Sequence, residues 1–368
     1  MRIGITGHSG FIGTHLKNFL SLEKEVTVLT FEDADFDVRQ KLQEFVAQCD
    51  AIVHLAAINR HPSPQYIFEK NVELVKKVTD ACIETESKPH ILFSSSIQEE
   101  RDNEFGNSKK AGRELLEKWA TECGSTSTGM VIPNVFGPFG KPYYNSVVAT
   151  FCHQLTHGEE PSIQIDGELP LIYVNDLASD IFDLIKERRS GKISIQHRYK
   201  VRVSEILELL KEFKKIYFEQ GAFPDISTPL RLALFNTFRC YIPNEHYPFP
   251  FKLNPDDRGT FVEITRAGSS GQFSYSTTNP NVTRGNHFHT RKAERFAVIK
   301  GKAKISMRRI DCSEVINYII DGANPAFVDM PIWHTHNITN IGDEELLTLF
   351  WINEPYNAEN PDTYFVNV

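Results

Sequence analysis

Thr6-Gly7-His8-Ser9-Gly10-Phe11-Ile12-Gly13 spaces three glycines three residues apart, after the apolar run Ile3–Thr6 and at the start of the helical pattern Phe11–Leu20. Glycines at that spacing permit a tight turn and a close backbone approach. A helix start offers unpaired N–H groups and a partial positive charge to a pyrophosphate. The segment reads as a dinucleotide site, with Gly7, Ser9, Gly10, Phe11, Ile12 and Gly13 as cofactor-binding residues. A glycine pattern alone is a weak signal. Its place between a strand and a helix separates it from an ordinary turn.

A second constellation lies toward the other end. His287 and His289 are two apart, so a strand presents both on one face. Glu294 follows across a turn, and His336 is expected on another strand pair. Three imidazoles and a carboxylate suit zinc or another divalent transition metal. Four of the 13 histidines (His287, His289, His334 and His336) fall within one short stretch, which argues against scattered surface histidines beside Arg291 and Lys292. A site of this form that holds no metal is the stronger rival.

These groups need elements to position them. Apolar runs at 3–6, 26–30, 51–55, 90–93 and 129–132 alternate with helical patterns at 11–20, 42–47, 72–83 and 109–122. That alternation predicts a parallel sheet covered on both faces, a doubly wound Rossmann-type α/β domain. After about residue 220 the prolines 224, 229, 243, 248, 250 and 255 punctuate a stretch that reads as a connector, with the short helical pattern Leu230–Phe238 inside it. From Gly259 onward, short alternating runs (260–265, 272–277, 293–299, 303–309, 314–320 and 346–352) predict an all-β sandwich or barrel. The expected domains are 1–245 and 246–368.

The chain has 368 residues, 24% of them charged, with a formal charge of −8. An acidic chain without a basic cluster disfavours nucleic acid and favours a small-molecule partner. The closest of the six cysteines are 29 positions apart (123 and 152), which excludes a CxxC zinc site and a dense disulfide framework. The start MRIGITGHSG lacks the form of a signal peptide, and no run approaches the about 18 apolar residues of a membrane span. A cytoplasmic protein without membrane insertion is expected.

The first part resembles the extended short-chain dehydrogenase/reductases over roughly residues 1–220. His54-Leu55-Ala56-Ala57 is similar to the segment beside the nicotinamide ribose, and Asn71 occupies the place of a supporting helix residue. Ser94-Ser95-Ser96 ends a strand as the family's catalytic serine does, with Ser96, the third, at that position and Ser94 beside the cofactor. Pro133-Asn134-Val135-Phe136-Gly137-Pro138 resembles the loop that holds the sugar nucleotide, which implies a substrate role for Asn134. The resemblance thus implies Leu55, Ala56, Ala57, Asn71, Ser94 and Lys109 as cofactor-binding residues, and Ser96 as a substrate contact as well.

One position departs from the family. Its Tyr-x-x-x-Lys reads Phe105-Gly106-Asn107-Ser108-Lys109 here. The lysine is kept and the phenol oxygen that passes a proton to substrate is missing. Losing such a general acid costs about 10²–10⁴ in rate. Three readings stand: an engineered inactivation, another proton donor, or a domain that binds cofactor without turnover. After the second strand comes Thr30-Phe31-Glu32-Asp33, with no arginine there to hold a 2′-phosphate. Those acidic residues favour NAD.

The last part resembles the cupins, with motifs G-x5-H-x-H-x4-E-x6-G (its glycine lead shortened) at Gly285–Gly301 and P-x4-H-x3-N at Pro331–Asn340. His334 replaces a small residue of that motif and reads as a neighbour of the ligands. Asp256-Asp257-Arg258-Gly259 and Arg284-Gly285-Asn286-His287-Phe288 resemble segments of the dTDP-4-keto-sugar 3,5-epimerases. That resemblance gives His287 the role of a base acting beside a ketone, and Arg258 and Arg284 the role of diphosphate holders in place of ordinary salt bridges. A histidine that ligates a metal cannot also be the free base.

The fusion of both halves resembles capsular polysaccharide enzymes that join a reductase to a cupin. Asn59-Arg60, Tyr144-Asn145-Ser146-Val147 and Pro361-Asp362-Thr363-Tyr364-Phe365 belong to that likeness, with Asn59, Arg60 and Asn145 as substrate-binding residues. It implies epimerisation at carbon 3 of a UDP-4-keto-6-deoxy-N-acetylhexosamine in the cupin. It then implies reduction at carbon 4 with NADPH to UDP-2-acetamido-2,6-dideoxy-L-talose, on the way to UDP-N-acetyl-L-fucosamine. A UDP-sugar substrate and a homodimer are part of the same implication. Two alternatives remain: a cupin epimerase whose reductase half is inactive because of Phe105, and a non-catalytic module that senses cofactor or sugar nucleotide.

Overall fold

The computed structural model describes residues 1–368, which form two compact units: residues 1–136 with 168–201, and residues 137–167 with 202–368. In chain order the first part runs β1 (Arg2–Thr6), α1 (Phe11–Leu20), β2 (Thr27–Phe31), α2 (Arg39–Gln48), β3 (Ala51–His54), α3 (Pro64–Glu84), β4 (His90–Ser96) and α4 (Glu104–Cys123). It continues with β5 (Ser127–Ile132), β6 (Asn134–Phe136), α5 (Val147–Thr156), β7 (Glu168–Tyr173), α6 (Val174–Glu187), β8 (Gly191–Ser194) and β9 (Tyr199–Arg202).

In the first unit a six-stranded sheet has the order β2-β1-β3-β4-β5-β8, and every pairing is parallel. Strands β3 and β5 are buried along their whole length, as both faces of the sheet are covered. Phe45, Val46, Val75, Val78 and Trp119 fill one face. Leu16, Leu20, Leu177, Ile181 and Leu184 fill the other. Six cysteines are free, in line with their wide spacing.

Two helices are longer than their apolar patterns. Helix α3 begins at Pro64, a residue suited to a first helical position, with Ser63 accepting from Tyr66 N at 3.3 Å. Helix α4 begins at Glu104, where Asn103 Oδ1 accepts from Gly106 N at 2.8 Å. Phe105 therefore sits in the first turn of a helix.

The second unit contains α5, α7 (Val203–Phe213) and α8 (Pro229–Arg239). Its strands are β10 (Phe249–Pro250), β11 (Leu253–Asp256), β12 (Gly259–Val262), β13 (Gln272–Thr278), β14 (Thr283–Phe288), β15 (Glu294–Lys300), β16 (Lys302–Arg309), β17 (Ile316–Asp321), β18 (Ala326–Met330), β19 (His334–Asn340), β20 (Leu346–Ile352) and β21 (Tyr364–Phe365). Two five-stranded sheets, β10-β18-β15-β20-β13 and β17-β16-β19-β14-β21, enclose a core of Phe296, Val298, Ile305, Met307, Val328 and Ile338. This all-antiparallel sandwich is the expected all-β half of the chain, and β11 and β12 form a separate hairpin.

The proline-rich stretch is not a connector. Helix α8 buries Leu234, Phe235 and Phe238 completely. Arg295 of β15 forms a buried two-pronged ion pair with Asp329 of β18 (2.7 and 2.8 Å) and donates to Gly221 O at 2.7 Å. Tyr217 donates to the same Asp329 at 2.7 Å. Pro229 starts α8, Pro224, Pro243 and Pro248 lie between elements, and Pro250 and Pro255 lie in the short strands β10 and β11, so no helical N–H is lost and the prolines punctuate a packed segment.

Candidate active sites

The first site lies at the carboxyl ends of the parallel strands, where ligands bind in such sheets. Gly7 has φ +68°, and a Cβ there would lie 2.7 Å from Ala56 N. A Cβ on Gly13 would lie 2.2 Å from Gly7 O. The turn and the first turn of α1 thus require glycine. Helix α1 has neither a side-chain cap nor an acidic residue in its first turn, so nothing in the chain competes with an anion for its amino end. These features fit a dinucleotide pyrophosphate.

Thr6 Oγ1 meets His54 Nδ1 at 2.8 Å and accepts from Ala56 N at 3.4 Å, and Leu55 N donates to Thr6 O at 3.2 Å. This clamp sets the Leu55–Ala57 segment beside the glycine turn. Burial, with the charge of Lys109, brings the His54 pKa down to about 3, so its ring is neutral. Asn71 donates to Ile58 O (3.0 Å) and Ser108 Oγ (3.1 Å) and accepts from Ile58 N (2.7 Å). Ser108 in turn donates to Phe105 O at 2.7 Å. Asn71 therefore ties the segment after β3 to the start of α4.

Lys109 is buried, and its Nζ donates to Ser94 Oγ at 3.3 Å. Ser94 donates onward to His54 O at 3.2 Å. The Lys109 ammonium lies 5.0 Å from the Phe93 ring centre and 5.6 Å from that of Phe105. Burial lowers its pKa to about 8. Ser96 is placed differently from Ser94, since its Oγ accepts from Gln98 N at 3.2 Å and caps a short turn. Ser95 points to Glu99, which pairs with Arg113 at 3.0 Å and Lys192 at 3.1 Å. Asn134 is exposed and donates to Pro170 O at 3.2 Å, Asn59 and Arg60 follow the Leu55–Ala57 segment, and Asn145 belongs to the second unit.

The second site gathers His287, His289, Glu294 and His336, whose donor atoms all lie within 4.8 Å of one another. His336 is not on a separate strand pair. Strands β14 and β19 pair with each other, and His287 faces His336 across them. A bulge between Gly285 and His287, with Asn286 at φ +61°, shifts the register so that the two rings come to 4.7 Å. Asn337 Nδ2 holds the bulge through Asn286 Oδ1 at 2.9 Å.

The tautomers are constrained. His289 Nδ1 faces Asp362 O at 2.5 Å, and His336 Nδ1 faces His334 O at 3.0 Å. A carbonyl only accepts, so each Nδ1 donates. In each neutral ring Nε2 then carries a lone pair, and both point at Glu294 Oε2 from 3.2 Å. Lone pairs converging on a carboxylate call for a second proton or a cation between them. Burial would raise the Glu294 carboxyl, but His289 and His336, when they carry that second proton, hold it well below the usual range. Burial and the neighbouring His336 bring the His287 pKa down to about 4, leaving it neutral with its lone pair available. Three imidazole nitrogens and one carboxylate oxygen fit a zinc-class ion.

Asp362 was not singled out from sequence as a site residue. It is buried, and its carboxylate accepts from Thr290 N (3.0 Å), Arg291 N (3.1 Å) and Lys292 N (3.2 Å), fixing the turn that carries His289. The closing segment Pro361–Phe365 was its only signal. His334 donates from Nδ1 to Ile332 O at 2.9 Å and stands outside the donor cluster. Arg258 pairs with Asp256 at 2.5 Å on the exposed hairpin, and Arg284 is exposed on β14. Neither is drawn into the histidine cluster.

Residues 3–197, more than half of the chain, match the NAD dependent epimerase/dehydratase family. The chain belongs to that family. Residues 254–364 of this epimerase/dehydratase family member match a Polysaccharide biosynthesis C-terminal domain. The chain is 34% identical to a UDP-2-acetamido-2,6-beta-L-arabino-hexul-4-ose reductase of Pseudomonas aeruginosa, covering 100% of this chain and 99% of that one. It is also similar to the capsular polysaccharide assembling protein CapF from Staphylococcus aureus, at 34% identity with 100% of both chains covered and a TM-score of 0.63. RMD from Pseudomonas aeruginosa, solved with NADPH, shares the fold at 20% identity over 58% of this chain and 85% of its own (TM-score 0.54). The two matches fall on the Rossmann half and on the all-β half of the chain. No helix is long and apolar enough to cross a membrane.

Proposed function

We propose that the chain is a bifunctional UDP-sugar enzyme. Its all-β half would epimerise carbon 3 of a UDP-4-keto-6-deoxy-N-acetylhexosamine. Its Rossmann half would reduce the carbon-4 ketone, giving UDP-2-acetamido-2,6-dideoxy-L-talose on the way to UDP-N-acetyl-L-fucosamine. The observation that carries the proposal is the convergence of His287, His289, Glu294 and His336 within 4.8 Å, in a chain that also builds a glycine-lined dinucleotide turn.

In the all-β half, a proton next to the ketone must leave one face of carbon 3 and return on the other. His289, Glu294 and His336 would hold a divalent ion, which when bound would supply Lewis acidity toward a ketone oxygen. His287 is neutral, and it serves either as the fourth ligand or as the base, since one lone pair cannot do both. Asp362 keeps His289 in the tautomer that turns Nε2 inward.

In the Rossmann half, a reduced nicotinamide dinucleotide supplies the hydride, and the resemblance implies NADPH. Lys109 holds a proton beside Ser94 Oγ and faces Phe105, which offers no hydroxyl. The proton for the carbon-4 oxygen would then come from the serine hydroxyls of β4, with Lys109 behind Ser94, or from water. Phe105 also favours a second reading, in which the chain is an epimerase with a slow or silent reductase half.

One experiment separates these readings. The 4-keto UDP-sugar is incubated in deuterated water with reduced nicotinamide. Deuterium at carbon 3 with oxidation of the nicotinamide supports both activities. Deuterium without oxidation supports the epimerase alone, and ketone recovered without deuterium overturns the epimerase. The resemblance also implies a homodimer, which sedimentation would read as twice the 42.0 kDa chain mass.

A further inference from the structure

We propose that Arg239 and Asn236 of α8 are positioning residues for the cluster of His287, His289, Glu294 and His336, so that the cluster's grip on a divalent ion depends on a helix outside the two sheets. The inference rests on the reading of that cluster as a metal centre.

Three of the four donors hang on two turns. One turn runs from His289 to Glu294, the first residue of β15. The other leaves Met330, the last residue of β18, and leads into β19 with His336. Glu294 and Met330 are partners across the sheet, so the two turns lie side by side there. Trp333 N donates to His289 O at 2.8 Å and joins them once. Helix α8 joins them a second time. Arg239 Nη1 donates to Met330 O at 2.9 Å and its Nη2 to Lys292 O at 3.4 Å, one carbonyl at each turn. Asn236 Nδ2 donates to Arg291 O at 2.8 Å, and Asn236 Oδ1 accepts from Arg239 Nη2 at 2.7 Å. Two residues one helical turn apart therefore clamp the backbone on both sides of Glu294.

The chemistry of this clamp differs from ordinary packing. Arg239 is 3% exposed, its guanidinium lies 5.2 Å from the Phe235 ring centre, and every acceptor it meets is neutral. Its Nε is buried without a partner. A buried cation among neutral groups costs stability, and an apolar side chain would pack α8 at lower cost. A guanidinium supplies what an apolar side chain cannot, a rigid fork of N–H groups that holds two carbonyls at a set spacing. The base of the fork is firm, since Leu234, Phe235 and Phe238 are fully buried and Phe235 packs on Phe213 and Tyr217. The donor set has little tolerance. Glu294 Oε2 sits 3.2 Å from both His289 Nε2 and His336 Nε2, and metal–ligand distances hold to about 0.2 Å. A turn released by Arg239 would carry its ligand out of that range.

The test compares the full chain with Arg239→Met, Asn236→Leu and Phe238→Leu. The first two remove donors to the turns. Phe238 packs on Phe213, so the third loosens the helix and leaves the clamp's hydrogen bonds in place. Zinc affinity is measured by competition with a chromophoric chelator, and the visible spectrum of the cobalt-loaded protein reads the geometry of the donors. Arg239→Met should bind zinc about 10–100-fold more weakly and change the cobalt spectrum, with Asn236→Leu moving both the same way to a lesser degree. Phe238→Leu should lower the unfolding midpoint and leave zinc affinity and spectrum unchanged. Circular dichroism checks folding, and if Arg239→Met does not fold, Asn236→Leu carries the test. Parent affinity and parent spectrum in the folded variant overturn the inference. A loss of affinity in Phe238→Leu equal to that in the clamp variants does so too, because general loosening of α8 would then suffice. An unaltered chain that binds neither ion overturns instead the metal reading on which the inference stands.

Discussion

Lys109 donates to Ser94 Oγ at 3.3 Å from a position that is only 4% exposed. The lysine is thereby held at the carboxyl end of β4, where the sequence pattern of Phe105-x-x-x-Lys109 places it. The phenylalanine ring fills the adjoining space. The lysine ammonium thus faces a ring without a phenol oxygen.

The first expected outcome concerns that oxygen. Phe105→Tyr adds a hydroxyl near an ammonium 5.6 Å from the ring centre, which would favour the phenolate and supply a proton donor. Reduction of the 4-keto UDP-sugar, followed as loss of reduced-nicotinamide absorbance, should rise by about 10²–10⁴. No rise would mean that this half does not turn over the ketone.

Lys109 itself should burden stability. Its pKa is lowered to about 8, against about 10.4 in an unfolded chain. Below pH 8 both states are charged and the full cost of burying the charge is present. Between pH 8 and about 10.4 the folded state sheds its proton first, so the cost shrinks as pH rises. Lys109→Met should therefore be more stable than the parent by up to about 3 kcal/mol at pH 7, with a smaller gain at pH 10. Urea unfolding at the two pH values measures both, and a gain that does not shrink contradicts the assignment.

Metal content is the third outcome. Protein purified without added ions should carry about one zinc-class ion per chain by elemental analysis. His336→Ala should carry little. Asp362→Ala, which frees the turn behind His289, should weaken metal affinity by about 10–100-fold although Asp362 contributes no donor atom to the cluster. Metal content unaffected by His336→Ala would dismiss this donor set.

The buried pair Arg295–Asp329 gives the fourth. Asp329→Ala leaves a guanidinium 1% exposed without its carboxylate and removes the partner of Tyr217. The expected loss is about 3–5 kcal/mol. The double change Arg295→Met with Asp329→Leu should recover part of it, since Phe223 and Phe327 pack against the guanidinium and Tyr217 keeps the Tyr247 hydroxyl, while Gly221 O loses its donor. Denaturant midpoints report both values, and a near-neutral Asp329→Ala would show that the pair does not clamp the 217–221 segment.

Local chemistry made much of this molecule legible in advance. The glycine turn could be recognised because Gly7 and Gly13 are dictated by contacts with their own neighbourhood, Ala56 N and Gly7 O, which tolerate no Cβ. The strands of the parallel sheet could be recognised because burial on both faces forces continuous apolar runs. Ligand types at His287, His289, Glu294 and His336 were readable because donor chemistry is a property of each side chain. Tertiary structure alone decided the rest. The pairing of β14 with β19, and the bulge that brings His287 to His336, depend on register between strands 49 positions apart (287 and 336), to which local pattern is blind. The packing of α8 into the second unit and the service of Asp362 to His289 depend on which surfaces meet. Residue type and spacing determine what a segment can do. Only the folded chain determines which distant groups complete it, because burial and hydrogen-bond partners are set by neighbours in space.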